Sequence, residues 1–176
     1  MPAFLIPLPD WNHPASHHPV AFLQSLLAGS TVNTPSTVAG ITLQPKPEFH
    51  LTLANRALVG ELQCVVPGDA LAWLQALWQA GDTRILPTGL LTLLHKRPDR
   101  HPHSAGSWSL VEKVVVPGHE AFLRRVEQQL GRQLPRPPAH VTTHVAGRPQ
   151  GIGLPRKRLL ARYQADAVGR NIALIQ

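Results

Sequence analysis

The sequence predicts an α+β fold, because strand-like and helix-like segments follow one another along the chain and an internal echo suggests two similar halves. Its 176 residues are enough for one domain with a hydrophobic core. The sequence VVPG occurs at residues 65–68 and again at 115–118, each time between a predicted strand and a predicted helix. We therefore expect a single domain that spans residues 1–176.

The predicted helices carry apolar side chains at helical spacing. The first covers residues 20–28 and ends at Gly29. The second covers residues 70–80 and follows Asp69, which suits the N-cap position. The third covers residues 119–130, where apolar residues recur at intervals of four.

Strands are predicted where polar and apolar residues alternate or where β-branched residues cluster. The strand-like segments are residues 37–44, 48–54, 61–66, 84–96, 107–116 and 139–145. Polar loops are expected at residues 96–106 and 147–153, and a basic segment follows the second loop.

Positive charge is the main feature of the composition. The 17 lysines and arginines exceed the 10 acidic residues, which gives a net charge of +7 and a pI near 10.8. Most of these cations are arginines, which bind phosphate through two donors and stack on bases. RNA or a nucleotide with a phosphate end is therefore the expected partner, and improved solubility is the alternative explanation of the charge.

Other features of the chain indicate a cytoplasmic protein, and we expect a monomer. The hydrophobic fraction of 43% excludes wholesale disorder. Pro7 and Pro9 interrupt the apolar start before a signal core can form, and Cys64 has no second cysteine for a disulfide. No membrane partner is expected, because no apolar run approaches about 20 residues and no predicted helix has a basic amphipathic face.

Two short motifs repeat the same chemistry. His50-Leu51-Thr52-Leu53 and His140-Val141-Thr142-Thr143 each place histidine and threonine two residues apart on a predicted strand. Side chains two residues apart on a strand point to the same face. The two histidines are 140 − 50 = 90 positions apart, so each half of the chain contributes one motif.

A pair of facing histidines suits acid–base chemistry on a phosphate. One imidazole can take a proton from the attacking nucleophile while the other gives a proton to the leaving oxygen. Imidazole serves both purposes because its ordinary pKa lies near neutrality. A threonine hydroxyl can donate to a non-bridging phosphate oxygen, and the scheme requires neither a metal nor another cofactor.

These two elements resemble the paired H-x-[S/T]-x signatures of the 2H phosphoesterase superfamily. That superfamily includes bacterial RNA 2′,3′-cyclic phosphodiesterases and proteins described as 2′–5′ RNA ligases. The resemblance implies a bilobal α+β fold, in which two similar lobes with mostly antiparallel sheets face each other across an active cleft. The fourth motif position is usually apolar in the family, so Leu53 fits the signature and Thr143 departs from it.

By position, the resemblance implies that His50 and His140 are the acid–base pair and that Thr52 and Thr142 bind phosphate oxygens. It also implies a metal-independent phosphodiesterase that opens a cyclic phosphate on RNA ends or on a small nucleotide, with 2′–5′ RNA ligation as a second activity. The alternatives are a non-catalytic module that binds RNA termini in the same basic cleft and a metal-dependent hydrolase.

Three further residues are candidates for substrate contact. His144 is expected on the same strand face as His140, either at the cleft mouth or simply exposed to solvent. Arg148 and Arg156 lie in or near the glycine-containing loop after the second motif and could bind RNA phosphates. His140 and His144 are poorly spaced for a shared metal, because residues four apart meet on a helix but lie about 13 Å apart on a strand.

Overall fold

A computed structural model of the chain describes residues 3–7, 35–38, 40–47, 49–98, 106–149, 151–154 and 156–171. Within these residues seven strands and four helices form an α+β structure with one sheet. The strands are β1 Phe4–Pro7, β2 Ser36–Val38, β3 Ile41–Pro45, β4 His50–Ala54, β5 Leu86–Lys96, β6 Ser107–Val115 and β7 His140–Ala146. The helices are α1 Arg56–Gln63, α2 Ala70–Gln79, α3 His119–Leu130 and α4 Lys157–Asn171.

Strand β7 lies at the centre of the sheet. On one side it pairs along its length with β6, which in turn pairs with β5. On its other side β7 pairs with both β3 and β4, which pair outward with β2 and β1 respectively. Each of these described pairs is antiparallel, and the sequence-distant motif strands β4 and β7 are direct neighbours.

Strands β3 and β4 follow one another along the same edge of β7. Pro45 is paired with His144, and the Lys46 N–H donates to the Thr143 carbonyl at 2.8 Å. After a short break the pairing resumes with Leu51 opposite Val141. Because of this break, β3 and β4 both pair with the same edge of β7, and β4 is aligned with β7 independently of β3.

The back face of the sheet, which carries Leu51 and Val141, is covered by α1, α2 and α3. Both residues are at most 1% exposed, and they belong to one cluster with residues of all three helices. Large-to-small changes in such a cluster typically cost about 2–5 kcal/mol. This packing fixes which side of β4 and β7 faces the core.

The front face, which carries Val111 and Thr142, is partly covered by α4 and by the segment 151–154. Its apolar cluster joins Leu94 and Val111 of the sheet to Ile152 and Leu154. The side chains of α4 that pack against this cluster are Leu159, Leu160 and Tyr163. The exposed cations at the beginning of this helix are Lys157, Arg158 and Arg162.

Helix α1 replaces a predicted strand. Residues 61–66 were expected to be extended because of their β-branched residues, and that prediction was wrong. The Asn55 side chain caps α1 by accepting from the Leu58 N–H at 2.9 Å, and Val59 and Leu62 are fully buried. Val59 and Leu62 are three residues apart and lie on one buried helix face, and their burial therefore outweighs the local preference of this segment for a strand.

The predicted α+β class and the mostly antiparallel sheet are confirmed, but no second similar lobe is evident in the described residues. The helices expected at residues 70–80 and 119–130 are present, whereas the helix expected at 20–28 lies outside the described residues. Strand β1 was not predicted. Helix α4 was also not predicted. Its apolar side chains pack on the sheet, and the exposed side chains at its beginning include three cations.

None of the helices in the described part of the chain is long and apolar enough to cross a membrane.

Candidate functional site

The pairing of β4 with β7 brings both motifs to one face of the sheet. Leu51 and Val141 are opposite each other and point into the back-face core. Side chains alternate along a strand, so the residues on either side of this pair point to the front face. One step along the register therefore sets His50 opposite Thr142, and one step the other way sets His140 opposite Thr52. We call these four residues the motif quartet.

The spacing within the motif quartet follows from sheet geometry. Directly opposite residues have Cβ atoms about 4.5–5.5 Å apart, and diagonal neighbours about 7–8 Å apart. His50 and His140 are diagonal neighbours in this register. That separation leaves room for a phosphate group between two imidazoles, each within hydrogen-bond reach of about 3 Å.

The neighbouring strands extend the motif quartet into two rows across the sheet. The first row runs from Leu5 through Thr52 and His140 to Lys113. The second row has Pro7 beside His50, and Val111 beside Thr142. Polar groups thus occupy the middle of the front face, and apolar side chains bound it on several sides.

His140 has a defined tautomer. Its Nδ1 lies 2.8 Å from the Pro138 carbonyl oxygen. A carbonyl only accepts, so Nδ1 carries the proton and the neutral ring presents Nε2 as an acceptor. Burial lowers the pKa of His140 below its ordinary 6.5, and the hydrogen bond to Pro138 only partly opposes this. Nε2 is therefore suited to accept a proton at neutral pH.

The other members of the motif quartet are more accessible than the core beneath them. Thr52 is exposed, and His50 and Thr142 are half-buried. In contrast, Leu51 and Val141 are buried in the core on the opposite side. The burial pattern agrees with the face assignment that the register gives.

The segment 151–154 closes one side of the site. The Ser109 hydroxyl accepts a hydrogen bond from the Ile152 N–H at 2.9 Å. Gly151 adopts φ +75°, and a Cβ built on it would lie 3.2 Å from Cγ2 of Thr142. A side chain at position 151 would therefore be strained and would crowd Thr142.

His144 does not share the face of His140. A bulge at Thr143 gives β7 one extra residue against β6, so Thr142 lies opposite Val111 and His144 lies opposite Leu110. His144 is consequently on the back face, with only 2% exposure, and its Nδ1 lies 3.2 Å from Oγ1 of Thr143. The expected strand alternation was interrupted, and this position offers no surface to a substrate.

Arg148 and Arg156 are both exposed but lie at different distances from the motif quartet along the chain. Arg148 follows the end of β7 that is opposite to His140, and the seven residues from His140 to Ala146 span about 20 Å. Arg156 immediately precedes α4 and follows the segment 151–154 that packs beside Thr142. The Gly151 N–H donates to the Arg148 carbonyl at 3.3 Å, and Gly151 lies beside Thr142, so the backbone of Arg148 is also near the second motif.

An ion-pair network supports the segment that leads into β7. Arg136 binds Glu127 through N–O distances of 2.7 and 2.9 Å and also contacts Glu120. Glu127 additionally accepts from the Leu134 N–H at 2.6 Å. These bonds attach residues 134–136 to α3. The chain then continues to Pro138, whose carbonyl contacts His140.

Sequence reasoning missed two contributors to this geometry. The Pro138 carbonyl is a backbone group whose direction no sequence pattern reveals. Lys113 lies opposite His140 on β6 and is exposed. Its alternation with Ser109 and Val111 could have assigned it to one strand face, but only the β6–β7 register connects that face with the motif quartet.

Over the residues that the structure describes, no group of three or more histidine, cysteine or acidic side chains comes together in a way that could hold a metal ion.

Compared with family models, with curated proteins and with solved structures, the chain finds no match.

Proposed function

We propose that the protein is a metal-independent phosphodiesterase that opens a cyclic phosphate, in particular a 2′,3′-cyclic phosphate, on RNA ends or on a small nucleotide. The observation that carries this proposal is the pairing of Leu51 with Val141. Through this pairing, two H-x-T motifs from different halves of the chain share one accessible face. The resemblance to the 2H phosphoesterases supplies the reaction class.

In the proposed reaction, His140 is the general base. Its Nε2 takes a proton from water while the water oxygen forms a bond to phosphorus. His50 is the general acid and protonates the ribose oxygen as its bond to phosphorus breaks. The product is a terminal phosphomonoester beside a free hydroxyl. The same two proton transfers, with the 5′-hydroxyl of a second RNA in place of water, would form a 2′–5′ phosphodiester as the bond to the other ribose oxygen breaks, which corresponds to 2′–5′ ligation.

Thr52 and Thr142 are proposed to donate hydrogen bonds to the non-bridging oxygens, where negative charge increases in the transition state. Arg148 and Arg156 are proposed to bind phosphates of the RNA chain beyond its terminal phosphate. His144 is left out of the proposal because it is buried on the back face.

The resemblance also implies two similar lobes across a cleft. Our proposal keeps one part of this expectation, namely that each half of the chain contributes one motif strand. The open front face between Leu5 and the segment 151–154 then takes the role of the cleft.

Incubation of the purified protein with a short RNA that ends in a 2′,3′-cyclic phosphate tests the proposal. We expect conversion to a terminal monophosphate at the same rate with and without a chelator. Loss of activity with the chelator would favour a metal-dependent hydrolase. Binding of this RNA without any product would favour the non-catalytic module that recognises RNA termini, and neither binding nor product would overturn both proposals.

A further inference from the structure

We propose that Lys113 is the cationic phosphate ligand of this site, and this inference rests on the proposed function. Lys113 is paired directly with His140 in the β6–β7 register and is exposed. Register partners point to the same face, so its side chain projects from the front face beside the base. Thr52 occupies the equivalent place on the other side of His140.

The reach of the side chain is sufficient for contact with a shared phosphate. Neighbouring strands are about 4.8 Å apart, and lysine carries its ammonium on a flexible four-carbon stem. A phosphate held at Nε2 of His140 therefore lies within range of Lys113. In the described part of the chain Lys113 forms no ion pair, whereas Arg84, Arg132 and Arg136 are each held by a carboxylate.

The charge of the reaction explains why such a ligand is required. A cyclic phosphodiester is a monoanion, and attack by water with proton transfer to the base raises the charge on its oxygens towards about −2. Protonated His50 gives up its positive charge with the proton that it transfers, and neutral His140 and the two threonine hydroxyls supply only dipoles. Lys113 adds a permanent cation beside the position where this negative charge develops.

The position of Lys113 is unusual on this face. Of the described strand residues that point to the front face, only Lys113 and Lys96 are cations, and Lys96 is paired with Ser107 at the far end of β6. Lys46 is the other nearby cation. Lys46 follows β3, and its N–H donates to the Thr143 carbonyl. The described pairing of β3 with β7 ends one residue earlier, at Pro45, so Lys46 is not paired with a residue of β7.

Inorganic phosphate and adenosine 2′,3′-cyclic phosphate are the probes for this inference. Lys113→Met retains the length of the side chain and removes its charge. We expect it to weaken phosphate binding and to lower kcat/KM on the cyclic nucleotide by about 10- to 100-fold, as for loss of a hydrogen bond to a charged group. A fall in kcat as well as a rise in KM is expected, because the charge acts mainly in the transition state.

Three further variants complete the experiment. Lys113→Arg should recover most of the lost binding, and Lys96→Met, the matched control on the same face, should leave both readouts within twofold of the wild type. Equal unfolding midpoints in urea identify variants that are folded. A loss with Lys46→Met but not with Lys113→Met would overturn the inference and transfer the role to Lys46.

The outcomes separate this inference from the proposed function. Normal turnover by Lys113→Met would overturn the inference and leave the phosphodiesterase proposal intact. Phosphate binding that depends on Lys113 in a protein that does not convert the cyclic nucleotide would do the reverse. Absence of both would overturn the two together.

Discussion

His140 is an example of a side chain whose chemistry is set by a backbone carbonyl. The Pro138 oxygen accepts the Nδ1 proton at 2.8 Å and so leaves Nε2 to accept one. Without this contact the two tautomers would compete, and Nε2 would be the acceptor for only part of the time. The contact therefore supports the proposal that His140, whose role the sequence left open, is the base.

The pH dependence of turnover should reflect the burial of His140. Burial lowers its pKa below 6.5, so the ring remains neutral and able to act as a base at lower pH than an exposed histidine. We expect the acidic limb of the kcat/KM profile to have its midpoint below 6.5. Rates on adenosine 2′,3′-cyclic phosphate from about pH 4 to 8 measure it. A midpoint above 6.5 would contradict the assignment of His140 as the base.

Replacement of the threonines tests their role as donors. Thr52→Val and Thr142→Val preserve the shape of each side chain and remove its hydroxyl, and each should lower kcat/KM by about 100-fold. Thr92 lies on β5, opposite Val111 of β6, and also points to the front face. Thr92→Val makes the same change there and should have little effect. If all three variants behave alike, the hydroxyls of the two motifs have no special function.

Individual elements show where sequence reasoning succeeds and where it stops. The alternation in His50-Leu51-Thr52 predicts correctly which residues share a strand face, because a period of two is a local property. The bulge at Thr143 breaks that period and moves His144 to the back face. Nothing in the sequence marks the extra residue, since its effect depends on the partner strand.

The error at α1 has a different origin. Asn55 and the spacing of Val59 and Leu62 were present as helix signals, but the valines that follow Cys64 favoured a strand. Packing of Val59 and Leu62 against the back face decides the outcome. Likewise, the neighbouring positions of β4 and β7 depend on pairing between segments far apart in sequence, so the site could be proposed from the motifs but not constructed from them.

The link between α3 and the segment before β7 should be sensitive to acid. The hydrogen bonds from Arg136 and then from the Leu134 N–H lower the pKa of Glu127 from 4.5 to about 2. A carboxyl group whose pKa is lower in the folded state stabilises the fold above the unfolded pKa, and this contribution is lost as the pH falls from 4.5 towards 2. Glu127→Gln should therefore lower the urea midpoint at pH 7 but not at the acidic end of this range.

The matched control for that experiment is Glu120→Gln. Glu120 contacts the same arginine from a more exposed position, with 55% of its side chain accessible compared with 14% for Glu127. Its removal should cause a smaller shift at pH 7, because exposed ion pairs contribute little. Equal shifts for both variants would show that Glu127 has no special place in the network.

At the scale of the whole molecule, the excess of positive charge should appear in RNA binding. Each phosphate contact releases counterions, so the affinity for RNA falls as the salt concentration rises. Arg156→Ala should reduce the slope of log Kd against log salt by about 1 for a short RNA and leave a mononucleotide unaffected. Arg148→Ala tests the other proposed contact in the same way.

Arg124→Ala serves as the control for these slopes. Arg124 lies on α3, which covers the back face, and its side chain is 65% exposed. The substitution removes the same charge from the opposite side of the sheet. A slope change equal to that of Arg156→Ala would mean that net charge alone, rather than a local contact, governs the association.

The pairing of Leu51 with Val141 also means that the alignment of the two motifs is set by backbone contact, and not by the loops that connect the elements between them. Additions or losses in the loops between these elements should leave the two imidazoles in place as long as the two backbones keep their alignment. A slip by one residue has the opposite effect, because it turns one motif inward and separates the pair. The sheet should therefore accept changes of length in its loops, but no change in this alignment.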